Sequence, residues 1–342
     1  MPMKPTLAIT MGDAAGIGPE IVLKSFSKHR ELFDLCRPLV IGSADVLRMY
    51  DRKLGIGLPL RIVTSPSDAE FDGHVLDVLD LGLLDGGQID VSRLKIGVVD
   101  AAVGKAAVVY TQQAGRMALN GTVDAIVSAP LNKEAMRAAG YPYEGQTQIL
   151  GELTGARRYG MILIFGQLRV MMLTTHVSLR QACDAVTRDK VLAMIELADS
   201  SLRQFGIARP RIAVAGLNPH SGEGGLFGSE EQEGSIPAIR DARAQGIEVE
   251  GPVPADVVFL KARDGKYDLV LAMYHDQANM AAKLLGFGQV VTLLAGLPII
   301  RTSVGHGTAF DIAGQGIADE TNLVCAIKAA AEFATIKKGA AR

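Results

Sequence analysis

The sequence predicts an α/β fold built on a largely parallel sheet, and three observations predict it. Seven short apolar runs alternate with stretches of helical spacing, the pattern that βαβ units produce. Several runs end in a Gly, a Pro or a polar residue that opens a loop. Three of them lead straight into a histidine, where a parallel sheet presents its ligand-binding edge.

The strand runs are residues 6–11 (TLAITM), 38–42 (PLVIG), 125–130 (AIVSAP), 160–165 (GMILIF), 170–176 (VMMLTTH), 211–217 (RIAVAGL) and 269–275 (LVLAMYH). Helical spacing fills 19–29, 191–206 and 234–246, and the Ala-rich tail from 326 reads as a terminal helix that frays. The uncharged stretch 284–300 carries Gly286, Gly288, Gly296 and Pro298, so it reads as turns and strands and not as a membrane span.

A chain of 342 residues with 48% hydrophobic and 21% charged residues is globular. Single cores stop growing at roughly 250–300 residues, which favours two lobes. The 35 basic residues nearly balance the 37 acidic ones, leaving no cationic field for nucleic acid. Cys36, Cys183 and Cys325 are far apart and show no CxxC spacing, which argues against a thiolate metal cluster or a disulfide framework and for a reducing cytoplasm. The opening residues contain no secretory signal pattern.

Chemistry concentrates in four places. His176, His220 and His275 each follow an apolar strand; imidazoles suit divalent metals, and three ligands leave positions open for substrate or water. The alternative is three unrelated histidines, since no local HxH or HExxH supports a site. Asp276 and Asp256 could orient a histidine, bind a metal or act as a base, or be ordinary turn and capping residues. The Gly-rich segment 11–20 lies between a strand and a helix with Pro19 at the helix start; it lacks the G-x-G-x-x-G order. The segment 303–314 reads as a polar, glycine-rich loop entering a helix, with Thr308 and Asp311 as hydrogen-bonding groups. Lys133, Lys283 and Arg301, with Thr147, could recognise phosphate or carboxylate, or the cations could be ordinary surface charge. Burial of Arg301 near a pocket is expected, and a buried arginine needs an anionic partner.

Together, MGDAAGIGPE, SAPLNKEA, TTHVSLR, GLNPHSGEGGLFG, GPVPAD, AMYHDQ and GLPIIRTSVGHGTAFDIAG resemble the 4-hydroxythreonine-4-phosphate dehydrogenase family, and more closely its 4-phospho-D-threonate/erythronate branch. The resemblance covers nearly the whole chain. It implies a two-lobed α/β/α, isopropylmalate dehydrogenase-like homodimer with the active site in the inter-lobe cleft. One lobe would hold 1–128 plus 296–342 on the cofactor side, the other 129–295 with the metal, substrate and dimer contacts. A divalent metal (Zn, Mg, Mn or Co) would be held by His176, His220 and His275, with a ligand crossing the dimer interface. NAD would lie at His306, Gly307, Thr308, Ala309 and Asp311. Substrate would meet Gln146, Thr147, Lys283, Thr292 and Arg301, with Asp256, Asp276 and Lys133 for proton transfer or positioning.

The implied reaction is metal-assisted, NAD-dependent oxidation of a 4-phosphorylated 3-hydroxy acid, with decarboxylation of the keto acid, in sugar-acid catabolism or pyridoxine biosynthesis. Gln146 stands where the biosynthetic enzymes commonly have His, Thr292 where they have Asn, and Gly305 in place of an Asp. Asp276-Gln277 is followed by Ala278-Asn279 where Gly is more usual. The substrate end is therefore altered while the metal residues are retained. The competing readings are a dehydrogenase of an aromatic cis-dihydrodiol carboxylate, a metallohydrolase using the same histidines, and a binding protein with a structural metal.

Overall fold

The computed structural model describes residues 4–82, 91–286 and 288–340. It is mixed α/β throughout, as the alternation predicts, and its contacts divide the chain into two compact units: Met1–Arg157 with Leu297–Gly339, and Arg158–Gly296. Residues 129–157, expected in the middle lobe, therefore pack in the unit that carries both terminal segments. The reason is local: the helix Ala101–Leu119 packs on the helices Lys133–Ala138 and Gln146–Thr154.

The first unit holds β1 (Thr6–Thr10), β2 (Arg37–Gly42), β3 (Leu60–Val63), β4 (Leu76–Asp80) and β5 (Ala125–Ser128). The second holds β6 (Gly160–Phe165), β7 (Leu168–Met172), β8 (Ile212–Ala215), β9 (Val249–Val253), β10 (Leu269–Ala272) and β11 (Val291–Ala295). The chain then returns to the first unit as β12 (Ile300–Val304). All seven predicted runs contain a strand; β3, β4 and β9 lie outside them, and β11 and β12 resolve the stretch read as turns and strands.

In the first unit the order is β3-β4-β2-β1-β5-β12 with every pair parallel. Its central strands are buried on both faces, as in β1 with Leu7, Ala8 and Ile9 at 0% exposure, which is why they read as continuous apolar runs and not as alternating ones. The chain leaves β1 towards β2 on one side and reaches β5 on the other. This reversal of direction opens a crevice beyond the carboxyl end of β1.

In the second unit the order is β11-β6-β7-β10-β8-β9. β11, β6 and β7 are antiparallel neighbours, whereas β7, β10, β8 and β9 run parallel. Val170, Met172, Ala213, Ala215, Val270 and Ala272 form one apolar core with Val258 and Phe259 of the helix Ala255–Arg263. Each fully buried Val or Phe side chain contributes roughly 1.5–3 kcal/mol, so these strand ends are firmly placed. The tail helix runs Thr321–Ala340, and residues 341–342 of the expected tail lie outside the described residues. No helix among the described residues is long and apolar enough to cross a membrane.

Candidate active site

In the first unit the loops after β1, β5 and β12, three neighbouring strands, pack on one another. The amide of Asp13 donates to Pro130 O at 2.9 Å and that of Ile17 to Thr308 O at 3.0 Å. The close approach requires glycine: a Cβ on Gly12 would stand 2.3 Å from Pro130 O, and one on Gly16 2.8 Å from the Thr308 Cβ. The Tyr50 hydroxyl, fully buried, donates to Gly16 O at 3.0 Å and holds the first loop from behind. Pro19 lies in the first turn of the helix Gly18–Lys28, as its position predicts.

Asp13 is the residue of this junction that its sequence context did not expose. Its carboxyl is completely buried; Oδ1 accepts the Ala15 amide at 2.8 Å, while Oδ2 has no hydrogen-bond partner. Burial, only partly opposed by the nearby amides of Ala15, Asn132 and Gly16, pushes the acid up to about 6.

The expected anion residues of this unit do assemble. Arg301 lies within β12 at 4% exposure. Its Nε donates to Ser128 Oγ at 3.0 Å and its Nη2 to the Gln146 Oε1. Both partners are uncharged. Burial pulls the guanidinium down to about 10, still fully protonated at neutral pH. Gln146 Nε2 donates to Ala129 O at 2.9 Å, so both ends of its amide are engaged inward, and it orients Arg301. Gln146 opens the helix Gln146–Thr154, whose N-cap, Gly145, brings no side-chain cap, leaving first-turn amides available to an anion. The stem of exposed Lys133 runs beside it, with Cε 3.8 Å from where a Gly145 Cβ would be.

The segment 305–320 is irregular, and the next helix starts only at Thr321, which corrects the expected loop entering a helix. Ala309 takes φ +40°, and Thr308 turns inward against the Gly16 loop. His306, Gly307 and Asp311 are exposed beside them. The His306 Nδ1 lies 3.0 Å from Gly307 O.

In the second unit β7, β10 and β8 are adjacent and parallel, with Met172 opposite Ala272 and Val214 opposite Leu271. His176, His275 and His220 follow these three strands in that spatial order. The rings of His176 and His275 are 6.0 Å apart and tilted by 42°, a spacing two imidazoles can take on one ion with metal–nitrogen bonds of about 2.0–2.1 Å. His220 does not join them: among the described residues, no three His, Cys, Asp or Glu side chains form a metal-binding group within this chain. Its ring packs edge-on to Phe227 at 6.3 Å, and its Nδ1 lies 3.1 Å from Glu223 Oε2. The donor chemistry fits a divalent ion, and the His176–His275 pair fits two of its positions.

The carboxylates divide by role. Asp276 Oδ1 lies 2.7 Å from His275 Nδ1, which leaves Nε2 of that ring as the nitrogen that could coordinate an ion. Asp256 is exposed in the first turn of its helix and makes no hydrogen bond among the described residues. Lys283 is exposed two turns beyond His275 on the helix His275–Gly286, and Thr292 is 8% exposed on β11 opposite Leu163. No hydrogen bond joins either to the histidines among the described residues.

Several residues that tie the histidine loops together escaped the sequence reading. Thr174 Oγ1 donates to Met273 O at 2.9 Å and bridges the ends of β7 and β10. Gln277 accepts the Met273 amide at 2.7 Å and donates to Gly216 O at 2.9 Å, bridging β10 and β8. The loop carrying His220 runs through six consecutive residues, 220–225, at positive φ. For His220, Ser221 and Glu223 that conformation costs roughly 1–2 kcal/mol each, so other contacts must hold it. Glu231, completely buried, accepts the amides of Leu217 and Asn218 beneath the loop.

The comparisons with known proteins agree with the motifs. The family described as pyridoxal phosphate biosynthetic protein PdxA matches residues 34–330. The chain belongs to the PdxA family. Within or near that family it is 46% identical over 332 residues to the D-threonate 4-phosphate dehydrogenase of Cupriavidus necator, covering 97% of this chain and 98% of the relative. The structure of the 4-hydroxythreonine-4-phosphate dehydrogenase of Klebsiella pneumoniae matches at TM-score 0.87 and 44% identity, over 96% of this chain and 99% of that one. A terephthalate 1,2-cis-dihydrodiol dehydrogenase of Burkholderia xenovorans matches at TM-score 0.65 and 32% identity, over 98% of each chain. The family read from the motifs is thus confirmed.

Proposed function

We propose that the protein is an oxidoreductase acting on the CH–OH group of a small 4-phosphorylated hydroxy acid, D-threonate 4-phosphate before 4-phosphohydroxy-L-threonine, with NAD as acceptor and a divalent metal. One observation carries the substrate class: Arg301 is a buried guanidinium whose hydrogen-bond partners are uncharged. A buried cation is strongly stabilised by an anion, and a phosphate or carboxylate would also meet the first-turn amides at Gln146 and Thr147.

Gln146 and Ser128 hold the guanidinium plane, so the anion finds its fork already oriented. His176 and His275 would hold the divalent ion, with His220 or a donor from a second copy completing the set, and Asp276 fixes the ring of His275. Asp256, not engaged elsewhere, takes the hydroxyl proton. When bound, the ion would acidify the substrate hydroxyl and stabilise enolate on loss of CO2, and the nicotinamide would accept the hydride from the same carbon. The junction of the Gly16 and Thr308 loops is the part of the first unit that supports a cofactor, because its backbone approaches are set by glycine.

A homodimer is the reading that best uses the exposed apolar side chains around the histidines. Leu179, Leu226, Met280 and Leu284 are 61%, 73%, 64% and 84% exposed, and each lies within ten residues of a site histidine in sequence. Covering them with a second copy would remove an exposed apolar patch.

The test is NADH formation at 340 nm with 4-phospho-D-threonate, 4-phospho-D-erythronate, 4-phosphohydroxy-L-threonine and a dihydrodiol carboxylate, each with and without Zn²⁺, Mg²⁺ or Mn²⁺. Metal-dependent turnover of a phosphorylated acid is the expected result. The similarity to the dihydrodiol dehydrogenase, and a guanidinium that would accept a carboxylate as readily, support a second reading; turnover of the dihydrodiol alone would select it. Silence on all four would leave the hydrolase.

A further inference from the structure

We propose that Glu231 is a positioning residue that sets the place of His220 by anchoring the left-handed loop from beneath. The inference rests on the reading of His220 as a metal donor. Glu231 is 0% exposed and begins the π-helical turn Glu231–Ser235 that leads into the helix Ile236–Ala244. Its Oε1 accepts two consecutive backbone amides, Leu217 at 2.9 Å and Asn218 at 2.7 Å, and its Oε2 accepts Asn218 Nδ2 at 2.9 Å. Asn218 Nδ2 is shared with Glu230 Oε2 at 2.8 Å.

These contacts grip the two residues that precede Pro219 and His220, the point where the chain leaves the end of β8. The loop then closes over the same carboxylate: a Cβ on Gly222 would stand 2.8 Å from Glu231 Oε2. The turn carrying Glu231 is itself seated against another element, since a Cβ on Gly234 would stand 2.2 Å from Val186 O. No cation pairs with Glu231 among the described residues. A buried carboxylate held only by dipoles is costly unless its lone pairs are used, so the group is better explained by the loop it shapes than by packing. Glu223, within that loop, faces His220, whereas Glu231 faces the backbone behind it.

Three full-length variants, Glu231→Ala, Glu231→Gln and His220→Ala, test this through Co²⁺ affinity by chelator competition, the Co²⁺ d–d absorption, and amide exchange in 217–224. Glu231→Ala should bind Co²⁺ at least tenfold more weakly, with a spectrum shifted as in His220→Ala, faster exchange in the loop and an unchanged melting profile elsewhere. The Gln variant keeps one acceptor for the two amides but sets its own NH2 against Asn218 Nδ2, so it should restore part of the affinity. If Ala fails to fold, Gln carries the test with a smaller shift in the same direction. Adding Glu231→Ala to His220→Ala should cost nothing further. Wild-type affinity and spectrum in Glu231→Ala, with both lost in His220→Ala, would overturn the role of Glu231 while leaving the metal reading intact. An unchanged affinity in His220→Ala would overturn the metal reading of that histidine, and the purpose assigned to Glu231 with it.

Discussion

Arg301 is embedded in a strand, nearly sealed from solvent and clamped by Ser128 and Gln146, whereas the three histidines lie beyond their strands, His176 and His220 exposed on loops and His275 at the start of a helix. On the proposed function, the contrast follows from what each group would bind. A cation that selects an anion gains most from a low-dielectric, preorganised setting. Metal donors must stay open to an ion, a substrate and, on the dimer reading, a second chain. On that reading the first unit would rest its function on burial, the second on loop shape. Substitutions should therefore separate activity from stability in the second unit and couple them in the first.

The largest effect should come from His275→Ala, which removes a proposed metal donor from an open position. Metal-dependent turnover should fall on the order of a thousandfold or more, because Lewis-acid stabilisation supplies several kcal/mol, while the urea midpoint stays unchanged. A chelator should do the same to the wild type, and global unfolding by chelator would break the contrast by making the ion structural.

Arg301→Met should raise KM for a phosphorylated acid and lower kcat/KM by roughly a hundredfold or more, since truncating one partner of a buried charged contact costs about 2–5 kcal/mol. Arg301→Lys should not restore it, because a point charge lacks the planar fork. Stability should change as well, unlike at His275, because Ser128 and Gln146 lose their partner.

Asp13 sharpens the comparison through pH. Its folded acid is raised from 3.8 to about 6 by burial, so between those values the native state holds more proton than the unfolded chain. Stability should therefore fall as pH rises from about 4 to about 6 and then level off, by on the order of 3 kcal/mol from this group. Urea midpoints across that window should show this slope in the wild type and lose it in Asp13→Asn. An identical slope in both would remove Asp13 as its source.

Smaller still, Gly16→Ala would press a Cβ to 2.8 Å from Thr308 and should cost about 1–3 kcal/mol by overpacking, with weaker NAD binding read by fluorescence. Breaking the surface pair Lys266–Glu250, 2.9 Å apart with both side chains half exposed, should change stability by less than about 1 kcal/mol. A large effect there would mean that burial is not what distinguishes the sites.

The strands at 125–128 and 269–272 were readable because parallel strands buried on both faces need unbroken apolar runs, and 160–165, antiparallel to both neighbours, because its run GMILIF is apolar throughout. Arg301 was readable for the opposite reason: a cation among Leu297, Ile299 and Ile300 has no place in a core without a polar task. β3 and β4 were not, because their mixed apolar and charged residues pair at one edge of the sheet. Glu231, Gln277, Thr174 and Asp13 have ordinary polar contexts, and their importance comes from partners 13 to 99 residues away or, for Asp13, from burial that no neighbour announces.

By itself the order of residues determined the α/β class, the family and the histidines at the strand ends, because apolar periodicity and short motifs are local. Tertiary structure alone decided that 129–157 pack in the first unit, that Gln146 turns inward to hold Arg301, that His176 and His275 meet while His220 stays apart, and that a buried glutamate underlies the third. Those outcomes depend on which distant surfaces come into contact, and on the desolvation and steric limits that contact imposes.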